Sequence, residues 1–284
     1  MNWEQIDIEN KELFQEFLKG KFKTSDLNFT NILLWSKSEE MKFLIEDETL
    51  YIKGEYEGEN YYFPPIRKDE NEEKLSESFK KISDEGIKIV FIPEEYKNIL
   101  ERKFDLEEKR DSFDYIYLQK DLAELKGRKF SSKKNKINKF KRIYEYTYEK
   151  ISKNNIDEIR EFQRKWTESR KEDKIIVSET MGIEYLLDNY ESLDLRGGVI
   201  RVKNEIVAYA FGEKLTDDMG LIHIEKGLAE YQGCYQMINM YLAKEEFSDV
   251  KFINREDDFG SLGLREAKMS YQPIELLKKY DMEG

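Results

Sequence analysis

Near the end of the chain a short apolar strand runs into Asn254-Arg255-Glu256-Asp257-Asp258, then two glycines, then a helix carrying Arg265 and Lys268. Function concentrates where a strand empties into a loop, because a rigid scaffold there meets chain that is free to carry chemistry. Arg265 and Lys268 are three apart and share a helical face. Together with Arg255 they are suited to a phosphate, a carboxylate or a ribose region. Glu256 and Asp257 are suited to a substrate ammonium, and Asn254 to a polar group. Tyr271 is a proton donor or, standing before Pro273, a packing residue. Charge alone is weak ground: 38% of the chain is charged, and most loop charges are simply solvated.

A second cluster comes earlier. Leu221-Ile222-His223-Ile224-Glu225-Lys226-Gly227 reads as a strand. Gly233-Cys234-Tyr235-Gln236-Met237-Ile238-Asn239 reads as a helix start, whose free amides suit a phosphate or a carbonyl. Simple alternation places His223 and Glu225 on one face, about 6–7 Å apart, with Ile222 and Ile224 on the other. Glu225 is the first choice for a general base, weighed evenly against an ion pair with Lys226 or a neighbouring strand. His223 reads as a packed strand residue before it reads as a catalyst. Asn239 orients a substrate or satisfies backbone groups.

Residues 126–142 hold nine cations and no acid, which leaves 39 cations against 60 acids elsewhere, a balance of −21. An acidic body with one dense basic segment is polarised. Lys129, Lys133, Lys134, Lys136 and Lys139 are therefore expected to follow a tRNA backbone or an anionic lipid surface. The plainer reading is a solvated helix face that offsets its acidic surroundings.

The elements that must position these residues follow from periodicity and turn chemistry. A helix over Asp26–Trp35 precedes strands at Met41–Glu46, Thr49–Glu55 and Asn60–Phe63, stopped by Pro64-Pro65. A helix near Glu70–Glu85, a strand Ile87–Ile92, a helix Glu94–Lys103 and an alternating strand Phe113–Leu118 complete a first half. The basic segment opens the second half as a helix, capped by Ser131 or Ser132, with Ile137, Phe140 and Tyr144 as its apolar stripe. There follow strand Tyr146–Ile151, a helix lined by Ile156, Ile159, Phe162 and Trp166, and a helix near Ser178–Tyr190. A meander of Gly198–Val202, Glu205–Leu215 and Met219–Glu225 leads to helix Gly233–Glu246 and strand Asp249–Asn254. The loop, a short helix and a strand over Gln272–Lys279 end the chain.

Helix, helix, three-strand meander, helix, strand, helix, strand is the order of GNAT acyltransferases. The expected fold class is α/β (α+β): two tandem GNAT-like domains, each a mixed, mostly antiparallel sheet flanked by helices. The division is placed at residues 1–122 and 123–284, with the site in the second. The closing pattern Asn254-Arg255-Glu256-Asp257-Asp258 through Gly260, Gly263, Leu264-Arg265, Ala267-Lys268 and Ser270-Tyr271 resembles that of the phosphatidylglycerol lysyltransferase C-terminal-domain family. His223-Ile224-Glu225-Lys226, Gly233 through Asn239 and the basic run Lys129–Phe140 resemble further motifs of that family. Asn28-Phe29-Thr30-Asn31-Ile32 and Tyr62-Phe63-Pro64-Pro65 extend the likeness into the first half, so it covers nearly the whole chain. The resemblance implies an acyltransferase, specifically an aminoacyltransferase that uses aminoacyl-tRNA as donor, like the related peptidyl-bridge enzymes. In that setting Lys226, Gly233, Tyr235, Asn239, Asn254, Arg255, Glu256, Asp257, Arg265 and Lys268 would bind substrate. Glu225, His223 and Tyr271 would be the catalytic candidates.

Acetyl-CoA-dependent GNATs carry a Gln/Arg-x-x-Gly-x-Gly/Ala loop for the pyrophosphate. This chain has Glu230-Tyr231-Gln232-Gly233-Cys234-Tyr235, where an acid would repel the pyrophosphate and Tyr235 would crowd it. CoA is thus the less favoured donor. Two alternatives stay open: an acyl-CoA-dependent N-acyltransferase, and a non-catalytic module that binds tRNA or another anion. No tightly bound cofactor is expected. One His and one Cys make a zinc site implausible, and Cys234 alone forms no internal disulfide. No window approaches the ~20 apolar residues of a membrane span, and the start lacks a signal-peptide pattern, so a cytoplasmic protein is expected. With 18 Tyr and 17 Phe the chain has ample material for its cores, and a monomer is compatible with that composition.

Overall fold

Two-residue turns with both central residues at positive φ set up the strand meanders of the computed structural model, which describes residues 2–69 and 71–284. Asp47-Glu48 (φ 46° and 56°), Glu57-Gly58 (52° and 87°) and Lys203-Asn204 (50° and 86°) each join adjacent antiparallel strands. Turns of this hand match the twist of the strands they connect.

The chain opens with a two-residue strand β1 (Glu4–Gln5) and helices α1 (Lys11–Leu18) and α2 (Phe29–Ser36). Strands β2 (Lys42–Glu46), β3 (Thr49–Tyr56), β4 (Glu59–Tyr62) and β5 (Ile66–Arg67) follow. Then come α3 (Glu72–Ser83), β6 (Lys88–Pro93), α4 (Glu94–Leu100), β7 (Glu107–Glu108), β8 (Asp114–Leu118) and α5 (Gln119–Glu124). The basic helix is α6 (Ser131–Ile143), succeeded by β9 (Tyr146–Lys150), α7 (Ile156–Glu168) and α8 (Lys174–Asp188). The second meander is β10 (Arg196–Val202), β11 (Glu205–Lys214) and β12 (Met219–Gly227), leading to α9 (Cys234–Tyr241). Strand β13 (Phe252–Asn254), α10 (Leu262–Met269), β14 (Glu275–Leu277) and β15 (Lys279–Met282) finish it.

Several element ends differ from expectation for local reasons. Helix α2 begins at Phe29 because Asn28, in extended backbone, accepts from the Asn31 amide at 3.1 Å. Asn71 caps α3 in the same way, and Glu70 lies outside the described residues. Asp173 accepts from the amides of Ile175 and Ile176, so α8 starts at Lys174 rather than Ser178. Neither Ser131 nor Ser132 caps α6: Ser131 is already helical, behind the 3-10 turn Arg128–Phe130.

The largest departure is in topology. The strand expected over Gln272–Lys279 is two strands in two sheets. The first sheet runs β1-β2-β3-β4-β6-β15-β7, with β5 beside β3; the second runs β14-β8-β13-β12-β11-β10-β9. Strand β8, read from sequence as the close of the first half, pairs with β13 and β14 in the second sheet. Strand β15, from the far end of the chain, pairs with β6 and β7 in the first. Each half thus lends a strand to the other. The two crossings are tied where they meet, since Lys279 at the head of β15 pairs with Asp114 at the head of β8 at 2.8 Å. Both side chains are fully buried.

Helices α7 and α8 bury Ile159, Phe162, Ile183 and Leu186 against Phe14, Ile32 and Leu33 of the first half, forming one core across both halves. Helices α6 and α9 cover the opposite face of the second sheet through Ile137, Phe140, Met237 and Ile238. A third core under α3 and α4 receives Tyr280 and Met282 from β15.

Candidate functional site

Strands β12 and β13 pair in parallel only as far as Leu221 and Asn254. Beyond that point β12 continues to Gly227, while the segment after β13 turns away through Glu256, whose φ of 56° is left-handed. A gap opens between them, and of the residues singled out in sequence Glu225, Asn239 and Arg255 meet there.

Strand β12 carries a bulge that decides how. Adjacent residues Phe211 and Gly212 of β11 pair with Ile224 and Ile222, so His223 is an extra residue with no partner across the ladder. A bulge re-aims side chains. Ile222 consequently packs in the core under α9, whereas Ile224 packs in the core shared with α7 and α8. The alternation that put His223 and Glu225 on one face is broken, and they point to opposite sides of the sheet. A Cβ on Gly212 would lie 1.9 Å from the Leu221 carbonyl oxygen, so only glycine fits the kinked pair.

On one side, His223 is held by two carboxylates. Its Nδ1 lies 2.9 Å from Glu256 Oε1 and its Nε2 lies 3.0 Å from Glu213 Oε1, and Asn31 of α2 donates to the same Glu256 oxygen at 3.3 Å. Burial pulls the imidazole pKa down, but the hydrogen bonds the ring donates to both glutamates outweigh it and hold it up at about 9. His223 is therefore a cationic staple that ties β11 to the closing loop. Lys226 faces this side too, 2.5 Å from Glu179 of α8 and over the Trp166 ring.

On the other side lies the polar heart of the gap. Glu225 accepts from Arg255 Nη2 at 3.2 and 3.1 Å and from Asn239 Nδ2 at 2.9 Å. The Arg255 guanidinium sits 4.7 Å from the centre of the Tyr271 ring and 5.5 Å from that of Tyr117. Lys133, turned inward from α6, lies 4.5 Å from the Tyr271 ring centre and donates to Ser270. Burial lowers the Lys133 pKa, and the neighbouring Lys136 and Arg255 lower it further. Burial raises that of the Tyr271 hydroxyl. Two atoms here are fully buried and without a hydrogen-bond partner: Asn239 Oδ1 and Arg255 Nη1. Such atoms are rare in native folds and mark an unfinished network.

The rest of the closing loop is occupied by internal contacts. Asn254 donates to Asp114 and to the Lys23 carbonyl. Lys268 donates to the backbone carbonyls of Arg255 and Asp257. Arg265 grips Asp258 and Asp111, and Asp258 also accepts from Tyr115 and Arg110. Asp257 accepts from the Phe259 amide, and burial raises its pKa to about 7 despite nearby Lys279. These residues set the path of the loop and thereby aim Arg255 and Glu256. Sequence reasoning missed Glu213, Asn31, Tyr117 and the Asp26–Lys279–Asp114 cluster. Each acts through a partner from the other half or a distant strand, and no local pattern announces such a partner.

The five lysines of the basic segment divide. Lys129 pairs with Asp121 at 2.7 Å, Lys133 faces the gap, and Lys134 stands in solvent. Lys136 and Lys139 border a cavity of about 550 Å³, whose far wall is Leu228, Ala229 and the N-terminal turn of α9, including Gly233 and Tyr235. Gly233 has φ 102°, and a Cβ there would meet the Lys136 carbonyl at 2.7 Å, so glycine lets α9 approach α6. The cavity presents amide donors and two ammonium groups, which is chemistry for a phosphate. Among the described residues no cluster of His, Cys, Asp and Glu is placed to hold a metal ion, and no helix is long and apolar enough to cross a membrane.

Comparison with known proteins extends this geometry. A crystal structure of a conserved protein of unknown function from Bacteroides thetaiotaomicron superposes with a TM-score of 0.88 and 30% identity, over 99% of this chain and 98% of that one. L-PGS from Bacillus licheniformis gives a TM-score of 0.70 at 16% identity, over 99% and 92%. A tandem GNAT protein from the clavulanic acid biosynthesis pathway gives 0.50 at 5% identity, over 99% and 98%, which is a likeness of fold alone. An uncharacterized protein of Mycoplasmoides gallisepticum is 23% identical over 181 residues, and the match spans only 58% of that relative's length. Both halves have the GNAT-like architecture. The family model described as phosphatidylglycerol lysyltransferase, C-terminal, matches residues 19–283, and the chain belongs to that family.

Proposed function

We propose that this chain is an aminoacyltransferase that takes its acyl group from aminoacyl-tRNA and works in the gap between β12 and β13. The observation that carries the reading is the pair of buried, unpartnered atoms beside Glu225. Asn239 Oδ1 only accepts hydrogen bonds and Arg255 Nη1 only donates them. An aminoacyl group offers the complement: an ammonium for Glu225 and Asn239 Oδ1, and a carbonyl oxygen for Arg255 Nη1. Removing one donor from such an oxyanion site typically costs 10²–10³ in turnover, about 3–4 kcal/mol.

An aminoacyl ester is already activated, so alignment and oxyanion stabilisation do most of what is required. The acceptor's hydroxyl or amine attacks the carbonyl carbon, and charge on the oxygen develops opposite Arg255. The ester C–O bond then breaks, and the proton lost by the acceptor ends on the departing ribose oxygen. Glu225 is positioned to hold the ammonium or to relay that proton. Tyr271 and Lys133 form the cationic, aromatic wall beside it. The cavity between α6 and α9 would take phosphates of the donor through Lys136 and Lys139, and Glu230 with Tyr235 favours tRNA over a CoA pyrophosphate there.

The test is binding of bulk charged tRNA and, in parallel, of acetyl-CoA at two salt concentrations. Transfer of the radiolabelled amino acid to amine and lipid acceptors is then followed. Salt-sensitive tRNA binding, with transfer lost at least about a hundredfold in Glu225→Gln while tRNA is retained, is expected. Binding of acetyl-CoA without tRNA would replace this reading with a CoA-dependent N-acyltransferase. Binding of tRNA with no transfer to any acceptor would leave a non-catalytic module.

A further inference from the structure

Lysine is seldom buried without an acid to pair with. Lys133 is such a case. It is 9% exposed, and its ammonium donates to Ser270 and lies over the Tyr271 ring. Among the described residues no carboxylate comes up against it, and its charged neighbours are the cations Lys136 and Arg255. Lys279, the other buried lysine among the described residues, is paired with Asp26 and Asp114. Arg255 is the second cation of the gap, 4.7 Å from the centre of the same Tyr271 ring, and Glu225 is the carboxylate it holds. On the other side of the sheet His223 and Lys226 are matched by Glu213, Glu256 and Glu179. The gap thus carries an excess of positive charge before anything binds.

A bound aminoacyl group adds its own ammonium to that excess. On the reading that the gap transfers an aminoacyl group, we infer that the amino acid carried has an acidic side chain, whose carboxylate meets the Lys133 ammonium. The substrate ammonium then goes to Glu225 and the side-chain carboxylate to Lys133, so each charge has its opposite. An uncharged side chain leaves Lys133 unpaired. A lysyl or arginyl side chain brings a further cation toward Lys133 and Arg255, with no second acid there to receive it. Like charges at that range repel by enough for about tenfold or more in affinity.

A phosphate of the donor is the rival claimant for this ammonium. Lys136 and Lys139, further along α6, are exposed and border the cavity where donor phosphates would lie. Lys133 is instead turned inward against Ser270 and Tyr271. Ser270, which itself donates to the Ala267 carbonyl, offers only a neutral oxygen, so the charge of Lys133 is left for a ligand.

In the experiment one tRNA body is acylated through a stable amide link with glutamate, alanine or lysine, and its affinity for the whole chain is measured. The free α-amides of the same three amino acids are titrated in parallel and followed by NMR. Glutamyl is expected to bind more tightly than alanyl, and alanyl more tightly than lysyl, each by about tenfold. Lys133→Met is expected to erase the advantage of glutamyl over alanyl, and Lys133→Glu to bring lysyl level with glutamyl or above it. Each readout is a ratio between ligands, so a general loss of folded protein cancels. Lysyl bound as tightly as glutamyl by the wild type overturns the inference. A Lys133→Met variant that weakens all three tRNAs by one common factor also overturns it and marks a phosphate contact. The expected order among the α-amides without any tRNA binding would uphold the acidic side chain and refute tRNA as the donor. Binding of tRNA with no order among the three would do the reverse, and silence from both probes overturns both.

Discussion

His223 is the chain's sole histidine, so its titration is read without assignment ambiguity. The structure places it between Glu213 and Glu256 with no exposed side-chain surface. Its pKa near 9 lies above the ordinary 6.5 because the two hydrogen-bonded carboxylates outweigh the cost of burying the cation. A folded-state pKa raised by about 2.5 units corresponds to about 3 kcal/mol of stability, at about 1.4 kcal/mol per unit. That contribution is fully present below pH 6.5, where the unfolded imidazole is also protonated. It declines as pH rises through 9 and is gone above it. The perturbation is Glu256→Gln, which keeps the shape and removes one negative charge. The assay is nitrogen NMR of the labelled imidazole across pH 5 to 10, alongside urea unfolding. The wild-type midpoint is expected well above 7, and the variant's midpoint lower by about one unit or more. A wild-type midpoint at or below 6.5, or one that ignores the substitution, would refute the two-carboxylate account.

Three other outcomes are expected. Lys279→Met leaves Asp114 and Asp26 as buried carboxylates without their cation and should cost about 3–5 kcal/mol at pH 7 by urea unfolding. Because burial already raises Asp26 to about 6 and Asp257 to about 7, losing Lys279 raises them further, so this cost should grow from pH 6 to pH 8; a pH-independent cost would mean lost packing only. Gly233→Ala forces φ 102° on a residue with a Cβ against the Lys136 carbonyl, and should lower stability by about 1–3 kcal/mol while separating α9 from α6. Cys234 is buried and its thiol is pushed up to about 12, so iodoacetamide at neutral pH should modify it only in denaturant, as followed by mass spectrometry.

Much of this architecture is legible in short windows of sequence. Alternation and turn residues mark the meanders, because a hairpin turn and its two strands are contiguous in the chain. The spacing of Ile156, Ile159, Phe162 and Trp166 marks α7 for the same reason: the residues that share a helical face are three or four apart. The candidate residues Glu225, Asn239 and Arg255 were also within reach, through their types and through resemblance to a family.

What lay out of reach was their arrangement. Whether His223 and Glu225 share a face depends on one extra residue in β12, and that bulge is set by how β11 must lie against it. Whether Arg265 and Lys268 are free for a ligand depends on Asp258, Asp111 and two carbonyls that the loop brings under α10. The exchange of β8 and β15 between sheets rests on Asp114 and Lys279, which are 165 residues apart and find each other only in a desolvated interior. The sequence by itself determined most of the elements and their order, since these follow from local propensity and periodicity, and its motifs carried the resemblance to the family. Only the tertiary structure decided which charges are committed to one another and which two polar atoms beside Glu225 are left unpaired. Burial sets the strength of a charge–charge contact, and burial is a property of the assembled fold.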